Sequence, residues 1–160
     1  MEQPIDQPPV TKDSIVTLRE VTRDNLSVIL KLKVKPEQDK CVASNAVSIA
    51  QAHFYPEEAW FRAIYADEVP VGFIMCSIEE NDEQPYLWRF MIDARYQKLG
   101  FGAQAIRSFE TYALSLPASK RIKLSCVPGE NGPMKFYEKL GYAVTGEMDD
   151  DEAVMVKKLR

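Results

Sequence analysis

The stretch Gln97-Lys98-Leu99-Gly100-Phe101-Gly102 constrains this chain more than any other. It stands between an apolar run, Tyr86-Leu87-Trp88-Arg89-Phe90-Met91-Ile92, and a segment where Ala103, Ile106, Phe109, Ala113 and Leu116 recur at helical spacing. The first is rich in aromatic and branched residues, as a buried strand is, and Pro117 stops the second from continuing as helix. Strand, glycine loop and helix in that order make a seat for a phosphate. The glycines let the backbone come close, and the first free N–H groups of the helix face the anion at the favourable end of the dipole. Lys98 adds a mobile positive charge. The pattern is neither the P-loop, which needs Gly-Lys-Ser/Thr, nor the dinucleotide G-x-G-x-x-G. A tight turn entering a helix would use the same glycines, so the rest of the chain must decide.

With 160 residues the chain has the size of one domain with a real core, read as a loose tail over residues 1–13 and a folded domain over 14–160. No apolar run approaches the roughly 20 residues that span a bilayer, so no membrane partner is expected. The polar, proline-rich start does not read as a secretory signal. Three cysteines without C-x-x-C spacing argue against structural zinc and a disulfide framework, and fit reduced thiols in the cytoplasm. The single His53 cannot build a histidine metal site, so no metal is expected. A net charge of −4 argues against duplex nucleic acid and suits a cationic substrate.

Along the chain, Ile15 to Val21 alternates as a strand, and Leu26, Ile29, Leu30 and Leu32 mark a helix. Ala46 to Phe54 reads as a second helix, capped near Ser44 or Asn45. Trp60 to Ala66 and Val69 to Ser77 read as strands joined by Asp67-Glu68, and an acidic connection, Ile78 to Pro85, leads to the apolar strand. Beyond the glycine-loop helix come a strand from Arg121 to Val127, a short helix from Gly132 to Leu140, and a closing hairpin of Tyr142–Thr145 and Ala153–Val156 around an acidic turn. Arg89, a lone charge in the apolar strand, is expected to pair with a carboxylate.

Taken together, Arg/Gln-x-x-Gly-x-Gly/Ala after a strand resembles the acetyl-CoA pyrophosphate loop of the GNAT superfamily of N-acetyltransferases. The order β-α-α-β-β-β-α-β-α-β-β resembles that α/β (α+β) fold from about Ile15 to Leu159. The resemblance implies a mixed central sheet of about seven strands flanked by about four helices. It also implies acetyl-CoA as co-substrate, held by Gln97, Lys98, Leu99, Gly100, Phe101, Gly102 and Ala103, with backbone groups of Phe90, Met91 and Ile92 bonding the pantetheine arm and acetyl carbonyl. A second motif, Phe136-Tyr137-Glu138-Lys139-Leu140-Gly141-Tyr142, resembles the family's F/L-Y-x-x-x-G-F/Y segment, which makes Tyr137 the expected acid for the departing thiolate. A phenol with an ordinary pKa of about 10 is neutral at pH 7 and suits that role. Where the family commonly has a cofactor-binding asparagine, this chain has Glu130, and Asn131 one place later is the candidate.

Several stretches resemble bacterial Blt-type spermine/spermidine (diamine) acetyltransferases: Val47–Ala52, Val71–Met75, Trp88–Asp93 with Arg95–Gln97, and Val154–Val156. That resemblance implies a polyamine acceptor. A polyamine needs carboxylates for its distal ammonium groups. Glu79, Glu80, Asp82 and Glu83, just before the apolar strand, are the candidates, with Glu37, Glu57 and Glu58 beside the second helix. A drug-like amine, an amino acid or a protein N-terminus are alternative acceptors, and a non-catalytic acyl-CoA-binding module is the alternative from another class. A homodimer is an open expectation.

Overall fold

The computed structural model describes residues 9–129 and 132–160. Among these residues, seven strands form one mixed sheet in the order β1-β2-β3-β4-β5-β7-β6. They are β1 (Val16–Arg19), β2 (Ala59–Ala66), β3 (Val69–Ser77), β4 (Tyr86–Ile92), β5 (Arg121–Cys126), β6 (Ala143–Asp149) and β7 (Glu152–Lys158). The four α-helices among the described residues are α1 (Leu26–Lys31), α2 (Asn45–His53), α3 (Phe101–Ser115) and α4 (Met134–Lys139). This is the expected architecture. Of the expected tail, residues 1–8 lie outside the described residues; residues 11–14 form a turn closed by Ser14, and Val10 packs on the core.

The sheet has a hydrophobic core on each face. On one, α3 lays Ala105, Ile106, Phe109 and Ala113 against Ile64, Val71, Ile74, Leu87 and Ile122. On the other, Ile29 and Leu32 from α1 and Ala52 from α2 meet Ala63, Tyr65, Phe73, Met75 and Met91. Alternation along each strand explains the split, since neighbouring residues face opposite sides. It is broken by a bulge in β3, where Ile64 pairs with Gly72 but Tyr65 with Pro70 and Val71 is an extra residue, and by another in β4. Met75 pairs with Arg89 but Cys76 pairs with Leu87, so Trp88 is an extra residue opposite β3. Such a bulge bends its strand and resets which residues face which side. Leu87 therefore lies in the α3 core and Met91 in the other, although both positions are odd.

Polar anchors lock the helices to the sheet. Buried Asn45 donates to the Ile29 carbonyl, joining α2 to α1, and Ser44 caps α2 by accepting from the Val47 N–H. Asp93, just past β4, accepts from the Lys33 N–H and from both the backbone and the guanidinium of Arg95. Arg89 departs from expectation. Among the described residues it makes no ion pair; its guanidinium donates to the Gln51 side chain and the Trp88 carbonyl, and its Nε is buried without a partner.

Candidate active site

β4 and β5 are parallel neighbours, but only Tyr86↔Lys123 and Leu87↔Leu124 are paired. From the Trp88 bulge onward the two strands part, and a cleft of about 1200 Å³ opens between them. Its floor is Trp88 to Ile92 on one side and Ser125 and Cys126 on the other. The α3 N-terminus, α4, residues 38–43 and the tip of the β6–β7 hairpin complete the walls.

The glycine loop sits where β4 hands over to α3. Lys98 and Gly100 both take positive φ, 63° and 84°, and Gly100 caps α3. A residue with a Cβ is strained in that left-handed conformation, which accounts for the glycine. At Gly102 the reason is space. A Cβ there would lie 3.2 Å from the Phe136 ring, which itself stacks on Phe90. The loop thus brings bare backbone to the cleft at a helix start whose first N–H groups have no partner within the helix. These features fit a phosphate-bearing acyl carrier. Gln97 anchors the arrangement, donating to the Ile92 carbonyl at 2.9 Å and to the Gln38 side chain at 2.8 Å.

The expected cofactor residues divide by where the structure puts them. Phe90, Met91, Ile92, Gln97, Lys98, Gly100, Phe101, Gly102 and Ala103 line the cleft. Leu99 does not, and packs instead against the α3 core. Asn131 lies outside the described residues. Tyr137, on α4, also lines the cleft, with its ring edge-on to Phe136 and Tyr142. Its hydroxyl makes no hydrogen bond among the described residues. Burial pushes its pKa well above the ordinary phenol value, and negative charge on Cys126, Cys76 or Glu152 would push the same way, so the phenol stays protonated. Burial likewise raises the Cys126 thiol, to about 11.

The four acidic residues expected at the acceptor side lie elsewhere. None of Glu79, Glu80, Asp82 and Glu83 lines the cleft. They precede β4, at the end where it is still paired with β5, whereas the cleft opens beyond the bulge. Asp82 accepts from the backbone of its own loop, at Gln84, and Glu83 pairs with Lys120. Glu37, Glu57 and Glu58 are not in the lining either. Among the described residues, the carboxylates that do face the cleft are Asp39, Asp149 and Glu152. Two of them come from the acidic hairpin turn, whose sequence was plain. Its position was not, because β7 inserts between β5 and β6 and carries the hairpin tip to the mouth of the cleft.

At the floor, Ser125 donates to Glu152 at 2.6 Å, and the Tyr86 hydroxyl is 2.5 Å from Ser125. Burial is the main cause of a raised Tyr86 pKa, with Asp149 and Glu152 adding to the rise.

Comparison with known proteins bears directly on this architecture. The acetyltransferase (GNAT) family matches residues 22–142. The chain belongs to that family. This GNAT protein is 30% identical over 154 residues to a spermine/spermidine N(1)-acetyltransferase of Bacillus subtilis (strain 168), covering 90% of this chain and 99% of the relative. Among solved structures, the spermidine N-acetyltransferase from Vibrio cholerae in complex with coenzyme A and spermine superposes with a TM-score of 0.71 at 15% identity, over 90% of this chain and 95% of the other. The PaiA N-acetyltransferase from Thermoplasma acidophilum in complex with coenzyme A gives a TM-score of 0.68 at 16% identity, over 90% and 99%. At those identities the two structures speak for the fold. The family match and the curated relative make this GNAT chain an acetyltransferase. Among the described residues no helix is long and apolar enough to cross a membrane, and no cluster of three metal-ligating side chains occurs.

Proposed function

We propose that this protein transfers an acetyl group from acetyl-CoA to a primary amine of a polyamine, by direct attack of the amine and with Tyr137 as general acid. The single observation that carries the reading is the cleft itself. Among the described residues it joins a bare-backbone phosphate seat, a protonated phenol without a hydrogen-bond partner and three carboxylates in one space. Acyl transfer to an amine needs the donor held in line, the departing thiolate protonated, and the acceptor held with its nitrogen free to attack. The backbone at Gly100 to Ala103 would hold the pyrophosphate, with Lys98 as a counter-charge. Exposed backbone of β4 beyond Trp88 would hold the pantetheine arm and acetyl carbonyl, as the strand has no β5 partner there.

The acceptor's charge is met by the carboxylates in the lining. Asp39 on one rim and Asp149 on the other are exposed and suited to distal ammonium groups. The curated relative, whose name specifies spermine and spermidine, supports that acceptor class. A binding module that never turns over would need the phosphate seat but not a phenol held protonated over the cleft.

The test is a screen of amines with acetyl-CoA, read by release of free thiol. Spermine and spermidine should be acetylated with a higher kcat/KM than simple monoamines, because a bound remote charge helps position the reacting end. Their KM should rise with salt, and rise again in Asp39→Asn or Asp149→Asn, as exposed charge attraction is screened. Equal use of a monoamine, insensitive to salt, would remove the polyamine while leaving acetyl transfer standing.

A further inference from the structure

We infer that Glu152, held in place by Ser125 and Tyr86, is the group that takes the proton from the incoming ammonium. The inference rests on the acetyl-transfer reading above and names a residue that reading leaves open.

The direction of the hydrogen bonds follows from proton counting. An ionised carboxylate only accepts, so the 2.6 Å contact uses the one proton of the Ser125 hydroxyl. Ser125 then has only lone pairs for Tyr86, so the 2.5 Å contact between the two hydroxyls must be donated by Tyr86. The chain runs Tyr86 to Ser125 to Glu152 and fixes Oε2 of the carboxylate. Oε1 makes no hydrogen bond among the described residues and is left for a donor that enters the cleft. Three elements converge to build this: β4 supplies Tyr86, β5 supplies Ser125 and β7 begins with Glu152. All three residues line the cleft that Tyr137 also lines. The charge of Glu152 is felt by Tyr137, Cys126, Tyr86 and Arg89, which places it among the groups around the β4–β5 opening.

The proton balance is complete with these residues. A polyamine end arrives as an ammonium, which has no lone pair. Glu152 takes one proton and passes it to water, and the freed pair forms the bond to the acetyl carbon. As the carbon–sulfur bond breaks, Tyr137 gives its proton to the departing thiolate. The attacking nitrogen, now cationic, loses its second proton, which restores the phenol. The net products are the acetamide, free coenzyme A and one proton in solution.

The test separates taking a proton from holding a charge. Glu152→Gln keeps the size and the Ser125 contact but cannot accept the proton. With spermidine its kcat should fall about 100-fold or more, as for loss of an acid–base group, while acetyl-CoA affinity and thermal midpoint hold. With a monoamine whose pKa lies below the assay pH, the acceptor arrives neutral, and the variant should work within a few-fold of the parent. Ser125→Ala and Tyr86→Phe should give smaller losses in kcat with spermidine, and no loss with the neutral amine. Three results would overturn the inference: unchanged kcat in Glu152→Gln, a loss confined to KM, or equal loss with both amines. Should Glu152→Gln not fold, the same two-amine ratio measured in Ser125→Ala decides: a ratio equal to the parent's overturns the inference. If the parent acetylates no amine at all, the acetyl-transfer reading falls instead.

Discussion

Tyr137 carries a phenol with no hydrogen-bond partner among the described residues, buried enough to stay protonated, yet open to the cleft. Removing its oxygen leaves no orphaned hydrogen-bonding group among the described residues, so Tyr137→Phe should fold and bind acetyl-CoA as the parent does. Its kcat should drop by about 100- to 10,000-fold, the usual range for an acid–base group. Turnover within a few-fold of the parent would reduce Tyr137 to a packing residue between Phe136 and Tyr142. At the glycine loop, Gly100→Asp would place both a strained left-handed residue and a negative charge beneath the proposed phosphate seat. The strain is worth about 1–2 kcal/mol, so the protein should remain folded while its affinity for coenzyme A, measured by calorimetry, falls. Tyr137 and the glycines were legible in the sequence because their spacing within a local motif fixes their surroundings. Leu99 shows where such reading stops. It sits inside the motif, yet its side chain turns into the core, since a loop must bury something to be held.

Among the elements, β4 does the most. It is the middle strand, carries the Trp88 bulge, and is tied at its far end by Asp93. Burial alone would raise the Asp93 carboxyl, but the Arg95 guanidinium, the Lys33 N–H and the Arg95 N–H outweigh it and hold the pKa below the ordinary value. The sign of the linkage follows. A carboxylate depressed in the folded state binds more protons when unfolded, so its stabilisation is full above about pH 4 and is lost as pH falls through the lower, folded value. Asp93→Asn should therefore lower the denaturant midpoint at pH 7, by an amount that narrows as pH falls below about 4. A difference constant with pH would mean the carboxylate charge is not what matters. Secondary structure itself was mostly readable, from Asn45–His53 to Val69–Ser77, because apolar period and turn residues agree there. The Trp88 bulge was not readable. A single extra residue leaves the composition of a strand unchanged and shows only when the partner strand is present to count against. Arg89 was misjudged for a related reason: its partner, Gln51, comes from a helix 38 positions away.

The whole molecule is two sheets' worth of chain meeting at a narrow junction. β1 to β4 make one antiparallel set and β5, β7 and β6 another, and two residue pairs join them. Acetyl-CoA lying in the opening would touch both sets and bind only the folded protein. At about 100 times its dissociation constant it should add about 2.7 kcal/mol of stability, read as a rise in thermal midpoint. No rise at saturating cofactor would argue that it binds elsewhere. The carboxylates that line the cleft belong to this scale too, and that is why sequence alone did not point to them. Glu79 to Glu83 are near β4 in sequence but lie at its closed end. Glu152 is distant in sequence and reaches the cleft only through the swapped order of β6 and β7.

That junction also gives the molecule a grain, as in wood. Strands within each set are cross-linked along much of their length, but β4 and β5 share only the register pairs Tyr86–Lys123 and Leu87–Leu124, reinforced at the closed end by the Lys120 and Arg121 N–H groups donating to the Glu83 carbonyl; at the other end lies space that is already open. Splitting should therefore start from the cleft, with α3 resisting as a clamp: it packs on Ile64 and Ile74 on one side and on Ile122 on the other, where its Glu110 also pairs with Lys157. Were that clamp to give way, the sheet would part along the cleft. The half bearing β5, α4 and the hairpin would come away carrying Tyr137, Ser125 and Glu152 together. The glycine loop would stay behind with the other half.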